Sequence, residues 1–350
     1  MNQETVEIQL IYLNGLIEIY LTKDDSFIKI GCFPCSFLTC CLSCACSVCH
    51  LILRVLIYTR RSDTPMKALK RYVSTIMHII RWEEGDVWDP NDQAYKDLQS
   101  VRSMHSKASG LVNSQKAYDK VANVPVSDKK YVNSSCPMNS HIRDDLRKQK
   151  HKLSPLENEQ TPPFYISQWD MSFTQYAFFG IITAHPKEVG VHYGTDEEFE
   201  ALIHFWRGIG YLLGVEDKYN FCNGSLAEVR KLCLEFERLI ILPHLTSVEW
   251  KFEHMSRSLI EGINMMVPHL SFPAMFRFVA EILGAEIPSF ISHMSLLNTI
   301  QYWLMKFTFS ILFLIRGIVP LFNNLLYLSL DYVLGRRQPP FGKPPVTIKL

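Results

Sequence analysis

The chain has 350 residues, 47% of them hydrophobic, which is enough apolar material for one large core or two smaller ones. Its 36 Lys and Arg residues nearly balance 35 Asp and Glu residues, giving a formal net charge of +1. This composition excludes a chain that is disordered throughout. It also provides no global attraction to nucleic acid, so we expect no nucleic-acid partner.

The first clear pattern is a Cys-rich apolar stretch. No Lys, Arg, Asp or Glu occurs between Lys29 and Arg54, and seven of the ten cysteines fall within that interval. The stretch is long enough to cross a bilayer, and it is equally consistent with a buried core helix rich in small residues. A structural zinc site is a third interpretation, because Cys32 and Cys35 have the spacing of half such a site, although no second pair follows. We assign residues 1–57 to an N-terminal segment that carries this apolar helix.

The segment MKALKRYVSTIMHIIRW predicts an amphipathic helix with an unusual polar side. Arg71, Thr75 and His78, at positions i, i+4 and i+7, share the face opposite the apolar one. One interpretation is a solvated polar stripe. The other is a stripe that faces a ligand or a partner helix. The apolar face recurs at helical spacing and comprises Met66, Leu69, Val73, Ile76 and Ile80.

The next helical segment, LQSVRSMHSK, places a histidine on its apolar side. On a 3.6-residue period, Leu98, Val101 and His105 share one face. We therefore expect His105 to be buried, and a buried imidazole needs a hydrogen-bond partner or a metal.

Residues 109–163 are polar and broken by Ser, Asn, Lys and Pro. No apolar period is visible in this tract, so we expect a mobile insertion in the helical domain.

Further helices are predicted after the insertion. Ser225 and Glu228 form the S-x-x-E pattern of a capping box at the start of SLAEVRKLCLEFERLIILP. Gly208, Gly210 and Gly214 do not follow a strand and do not have the dinucleotide-binding spacing, so they indicate close helix packing.

A second apolar tract runs from Phe307 to Arg337, but Arg316, Pro320 and an Asn pair interrupt it. Those interruptions favour a kinked or interfacial helix over one clean span. A basic tail follows, which suits a cytosolic membrane surface. We assign residues 296–350 to C-terminal, membrane-associated helices with this tail.

Four segments in this order, SDTPMKALKRYVSTIMHIIRW, LQSVRSMH, ISQWDMSFTQYAFFG and FWRGIGYLLGVEDKYNFC, resemble a known oxygenase family. It is the catalytic-domain family shared by the endoplasmic-reticulum-bound oxygenase MpaB and the rubber oxygenases, or latex-clearing proteins. The resemblance spans about residues 60–290 and implies an all-α, globin-like bundle around a b-type haem. On this basis residues 58–295 form the haem oxygenase-like domain, with the flanking helices associated with the membrane.

The resemblance assigns roles to individual residues. It implies that His105 is the proximal ligand of the haem iron and that Arg71 and Thr75 are the catalytic pair on the distal side. Arg102 and Arg207 are candidate partners of the haem propionates, with ordinary surface ion pairs as the alternative. In the stretch SQWDM, Gln168 and Asp170 have an architectural role, holding helix ends or loops.

Two departures from the rubber-cleaving pattern bear on activity. Ser74 stands where that motif has a lysine, and no Asp or Glu occurs between Asp25 and Asp63, where those enzymes have a catalytic carboxylate. We expect a haem-dependent oxygenase of a membrane, in particular the endoplasmic reticulum, that uses O2 on an apolar, isoprenoid-like alkene. The alternative is a haem-binding or non-enzymatic membrane protein that retains the fold without oxidative cleavage.

Overall fold

The computed structural model of the chain describes residues 50–125, 138–149 and 164–335, together with the backbone of three short strands nearer the N terminus. The body from residue 50 onward is built of helices, which confirms the all-α class at this level. The Cys-rich stretch before residue 50 lies outside the described residues, so its three interpretations stay predictions.

The strands form an antiparallel sheet in the order β1 (Glu7–Leu13), β2 (Leu16–Thr22) and β3 (Ser26–Ile28). Leu13 pairs with Leu16 across the first hairpin. The expected N-terminal segment did not include these strands. Apolar residues alternate on both sides of the sequence Asn14-Gly15, which is a strong hairpin signal.

The described helices have the following bounds, in chain order: α1 His50–Tyr58, α2 Pro65–Glu84, α3 Gln93–Val112, α4 Tyr118–Ala122, α5 Met138–Lys148, α6 Gln168–Ala184, α7 Asp196–Leu213, α8 Leu226–Phe236, α9 Leu242–Leu245, α10 Trp250–Ile263, α11 Phe272–Ile282, α12 Pro288–Ser292, α13 Leu296–Ser310 and α14 Ile318–Val333. Short 3₁₀ turns occur at Asp217–Tyr219 and Leu312–Leu314, and a π-helical segment, Glu237–Ile241, joins α8 to α9.

The helix α2 packs against α10 on one side and α3 on the other. A Cβ atom added to Gly262 of α10 would lie 2.5 Å from the carbonyl oxygen of Pro65 and 3.0 Å from the amide nitrogen of Leu69. Only glycine permits this approach of the two backbones. His254 of α10 also donates a hydrogen bond of 2.9 Å from Nε2 to the carbonyl oxygen of Asp63, just before α2. The start of α2 is therefore held tightly against α10.

Several local expectations are confirmed. Ser225 and Glu228 form a capping box at the start of α8. Asp170 forms a capping box with Ser167 at the start of α6. The Gln168 side chain donates to the carbonyl oxygen of Gly214 and accepts from the amide of Glu216, each at 2.9 Å. Both residues are thus architectural, as predicted.

The glycines on α7 also behave as the sequence indicates. A Cβ atom on Gly210 would lie 2.6 Å from the Gln175 side chain of α6, so this glycine lets the two helices pack closely.

The polar tract at 109–163 contains more structure than expected. The α5 helix lies within it, and its apolar side chains Met138, Ile142 and Leu146 are buried. Asp145 on the same helix accepts a hydrogen bond of 2.8 Å from the amide of Phe290. The helix escaped sequence analysis because its apolar residues, spaced i, i+4 and i+8, are diluted by charged neighbours. Residues 126–137 and 150–163 lie outside the described part of the chain.

A buried carboxylate network fixes the π-helical segment. Glu237 is only 4% exposed, and it accepts hydrogen bonds from the Tyr176 hydroxyl at 2.6 Å and from Nε2 of His185 at 2.7 Å. Burial alone would lower the pKa of His185, but the hydrogen bond and charge of Glu237 outweigh it and raise that pKa. The network therefore favours a charged His185.

We predict that Glu237→Gln lowers the free energy of unfolding by about 2 kcal/mol at low pH, because a charge-assisted hydrogen bond is lost. The pKa of His185 is higher in the folded state than in the unfolded chain. This contribution is therefore complete below the unfolded pKa and is lost as pH rises through the folded one.

Urea denaturation of the wild type and Glu237→Gln across this pH range is the measurement. The exposed Glu235→Gln on α8 is the matched control, for which we expect little change. A difference between wild type and Glu237→Gln that grows with rising pH would contradict the prediction.

Candidate functional site

The predicted site residues lie on the two helices α2 and α3, which run antiparallel. His78 of α2 contacts Asp97 of α3 close to the connecting loop. Further along both helices, the charge of Arg71 is near enough to His105 to influence its pKa. Arg71 and His105, which the sequence could only assign separately, therefore lie in the same region of this helix pair.

Asp97 is the junction between the two helices. Its Oδ2 atom accepts hydrogen bonds from Nδ1 of His78 at 2.8 Å and from the Trp82 indole at 2.9 Å, and Oδ1 binds the Arg81 guanidinium. The Asp97 side chain is only 10% exposed. Three donors on one nearly buried carboxylate fix the position of α3 relative to the last turns of α2.

The bond to Asp97 also sets the tautomer of His78. A carboxylate can only accept, so the proton lies on Nδ1, and neutral His78 keeps a lone pair on Nε2. That atom lies 3.4 Å from the hydroxyl oxygen of Ser74, one turn earlier on α2. Ser74, His78 and Asp97 thus form a hydrogen-bonded chain in which the imidazole can accept and return a proton.

The other two members of the polar stripe are half-buried. The Arg71 guanidinium donates a hydrogen bond of 2.9 Å to the hydroxyl of Ser62. Burial lowers the pKa of Arg71, with an opposing contribution from Tyr72. The Thr75 hydroxyl donates to the carbonyl oxygen of Arg71 at 3.1 Å, so its proton is committed to its own helix while its oxygen can still accept. His78 therefore contacts α3, while Arg71 and Thr75 are shielded in part from bulk solvent.

His105 lies on α3 beside the buried residues Leu98 and Val101, and it is half-buried rather than fully buried as the sequence predicted. Burial lowers its pKa, and the nearby Arg71 and His78 lower it further, so the imidazole is neutral. Its Nδ1 atom is buried, and no group among the described residues forms a hydrogen bond with it. A buried polar atom left unpaired costs about 1–3 kcal/mol, and this nitrogen is free to bind a ligand.

These residues fit a haem to the extent that one can be tested on them. A neutral imidazole with an unpaired nitrogen is suited to iron ligation, and the neighbouring helix carries a cation and a hydroxyl, Arg71 and Thr75. Within residues 50–125, 138–149 and 164–335, no group of three or more His, Cys, Asp or Glu side chains could hold a metal ion. A haem needs only one such axial ligand from the protein.

The two candidate propionate partners are engaged elsewhere. Arg102 is exposed and donates a hydrogen bond of 3.2 Å to the carbonyl oxygen of Leu212, at the end of α7. Arg207 forms a two-pronged ion pair with Asp217, with both oxygens 2.9 Å from Nη2. The surface ion pair considered as the alternative is therefore present at Arg207. A role for either residue in binding a propionate stays a prediction.

Sequence reasoning missed Asp97. It sought a carboxylate upstream of Arg71, whereas the carboxylate that contacts the polar stripe lies downstream, on α3. The sequence contains only a weak signal for this contact. Asp97 comes directly before the predicted buried residue Leu98, and His78 and Trp82 share one face of α2 because they are one turn apart.

Comparisons of the chain with models of protein families, with curated proteins and with solved structures found no match. The resemblance to the oxygenase family therefore rests on the quoted motifs alone.

We predict that Asp97→Ala destabilises the protein by about 3 kcal/mol, because it leaves His78 and Trp82 without their buried acceptor. Arg81→Ala removes only the exposed partner of the same carboxylate and should cost less than about 1 kcal/mol. The midpoints and slopes of urea unfolding curves measure both changes. Equal effects of the two substitutions would show that Asp97 does not hold the helix pair together.

Proposed function

We propose that this chain is a membrane-associated, haem-dependent oxygenase that acts with O2 on an apolar, isoprenoid-like alkene. The observation that supports this most is the buried Nδ1 of His105, which has no hydrogen-bond partner among the described residues and lies on the helix next to the one that carries Arg71. These are the positions to which the resemblance assigns the distal pair and the proximal ligand. The helical body supports the proposed globin-like arrangement only at the level of its all-α class.

In this proposal His105 is the axial ligand of a b-type haem held within the helical domain. When bound, the haem supplies oxygen activation and redox chemistry, while the protein supplies ligation, orientation and a dry environment. The low pKa of His105 keeps the imidazole in the neutral form that ligation requires.

The residues of α2 provide the polar groups. Arg71 presents a positive charge that stabilises negative charge developing on oxygen, and Thr75 presents a hydroxyl oxygen. His78 can hold or return a proton at Nε2, with its ring oriented by Asp97 and its lone pair directed toward Ser74. This relay supplies an acid-base group where the sequence lacks both the lysine and the upstream carboxylate of the rubber oxygenases.

The second candidate is a haem-binding or non-enzymatic membrane protein that retains the fold. Ser74 in place of the lysine favours it, since a serine is a far weaker acid-base group. The endoplasmic reticulum is the proposed membrane on the basis of the resemblance, and an apolar alkene would partition into its lipid.

We predict that the protein purifies with b-type haem from haem-replete cells and that His105→Ala loses it. The Soret absorbance per protein, with the spectrum of the reduced protein with and without CO, measures this. His204→Ala, on an exposed position of α7, is the matched control and should retain full haem. A Soret band unchanged in His105→Ala, or lost only in His78→Ala, would refute the assignment of the axial ligand.

We predict that Arg71→Ala keeps its haem but loses about a hundredfold in turnover, because one charged donor at developing charge contributes roughly 3 kcal/mol. The reduced mutant should also reoxidise faster in air. Product formation and reoxidation rate are compared with wild type at equal haem loading. Unchanged rates at full haem content would refute the catalytic role of Arg71, and a haem-loaded wild type without turnover would favour the non-enzymatic candidate.

A further inference from the structure

Apolar side chains are exposed unevenly over the molecule. More than half of the large apolar residues that are exposed in the described part of the chain lie between Ile291 and Leu328. Leu296 is 78% exposed and Leu297 63%, values expected of polar surface residues. Isolated exposed leucines are ordinary, but a concentration of this kind marks an interaction surface.

The exposed residues of α13 form a regular face. Ile300, Leu304, Phe307 and Ile311 recur at spacings of three and four, so they line one side of the helix. The buried residues of α13 lie on the opposite side, where they pack onto the protein: Tyr302, Met305 and Phe309. A helix that is apolar on both sides has one face for the core and one for another apolar medium.

The same pattern continues in α14. Leu321, Leu325 and Leu328 are exposed at positions i, i+4 and i+7, whereas Leu326 and Leu330 are buried. Beneath the surface, the rings of Phe309, Phe313 and Phe322 contact in sequence, with centroids 5.2 and 5.1 Å apart. These edge-to-face ring contacts join α13, the 3₁₀ turn and α14 into one structural unit.

This unit does not have the dimensions of a membrane span. In the described chain, no helix combines the length and hydropathy required to cross a bilayer. Between α13 and α14 the chain turns through Arg316 and Gly317, whose φ of 92° lies in the left-handed region. Two short, two-sided apolar helices joined by a charged turn are suited to lying within one leaflet.

Cationic and aromatic side chains occur together in this region. The guanidinium of Arg277 lies 3.8 Å from the centroid of the Tyr302 ring, and Arg316 lies 5.2 Å from that of Tyr193. Trp303 is exposed beside them. From Pro288 onward the sequence contains six Lys or Arg residues and a single acidic residue, Asp331. Aromatic and basic residues around an apolar face match the composition of the bilayer interface.

We infer that α13, the 3₁₀ turn and α14 form a docking surface that inserts into one leaflet of a membrane containing anionic phospholipids. A second copy of the chain is a poorer occupant, because two-fold pairing would bring like-charged basic residues together. The chain's own apolar stretch before Arg54 would cover the leucines but offers no negative charge to the basic residues. The inference rests on the membrane association in the proposed function, and it does not depend on haem.

Flotation of the full-length protein with vesicles tests the inference. We expect binding to phosphatidylcholine vesicles that persists in high salt, because apolar insertion is not screened. Adding phosphatidylserine should strengthen binding at low salt by about fivefold per engaged basic residue. Hydrogen-exchange mass spectrometry should show vesicle-dependent protection concentrated in residues 296–328.

Leu304→Glu and Phe307→Glu should each weaken vesicle partitioning by about tenfold or more, since each replaces an inserted apolar side chain by a charge. Leu232→Glu, on an exposed position of α8, is the matched control and should bind as wild type does. All three substitutions are at exposed sites, and circular dichroism checks that the variants remain folded.

Three outcomes would overturn the inference. The first is a vesicle-bound protein that shows no protection in residues 296–328. The second is a protein that does not bind vesicles and forms an oligomer in sedimentation velocity that Leu304→Glu dissociates. The third is a protein that binds neither kind of vesicle. The Soret band of the same samples reports haem separately. Vesicle binding without haem would therefore refute the proposed oxygenase while leaving the docking surface intact.

Discussion

The geometry of the candidate site depends on a single buried carboxylate. Asp97 holds three side chains of α2 from its position on α3, and this contact fixes how the two helices are rotated about each other. Because the helices are antiparallel, the contact near the loop influences what lies further along, where Arg71 and His105 share one region. Three hydrogen bonds to one carboxylate can offset the conformational entropy that is lost when the side chains of the two helices are fixed in place.

Arg71 has two effects in this arrangement. Its positive charge disfavours protonation of His105, which adds to the effect of burial in keeping the imidazole neutral. The same charge is available to a polar or anionic group between the helices. A residue that only formed a surface ion pair would have neither effect. The cost of burying the guanidinium is offset in part by its hydrogen bond to Ser62.

The sequence predicted the local features of this region well. Helical spacing identified the buried face of α2, with Leu69, Val73, Ile76 and Ile80 all in the core, and the stripe opposite it. Helical spacing could not identify the partner of the stripe, because Asp97 lies on a different helix from His78. The spacing of apolar residues within one helix carries no information about contacts between helices. The N-terminal hairpin was a different kind of miss, since the Asn-Gly signal was present in the sequence. Only the packing against distant helices revealed that α5 belongs to the folded body.

The contact at Gly262 has a consequence for access to the space between α2 and α3. The backbone of α10 touches the first turns of α2 with no side chain between them, so α2 cannot roll or retreat without separating two packed helices. Its partner α3 is exposed at Met104 but is also tied to α7, where Arg102 donates a hydrogen bond to the carbonyl oxygen of Leu212. Any widening of the space between α2 and α3 therefore requires α3 to move against a fixed α2, and the bonds of Asp97 to α2 and of Arg102 to Leu212 have to break for it to do so.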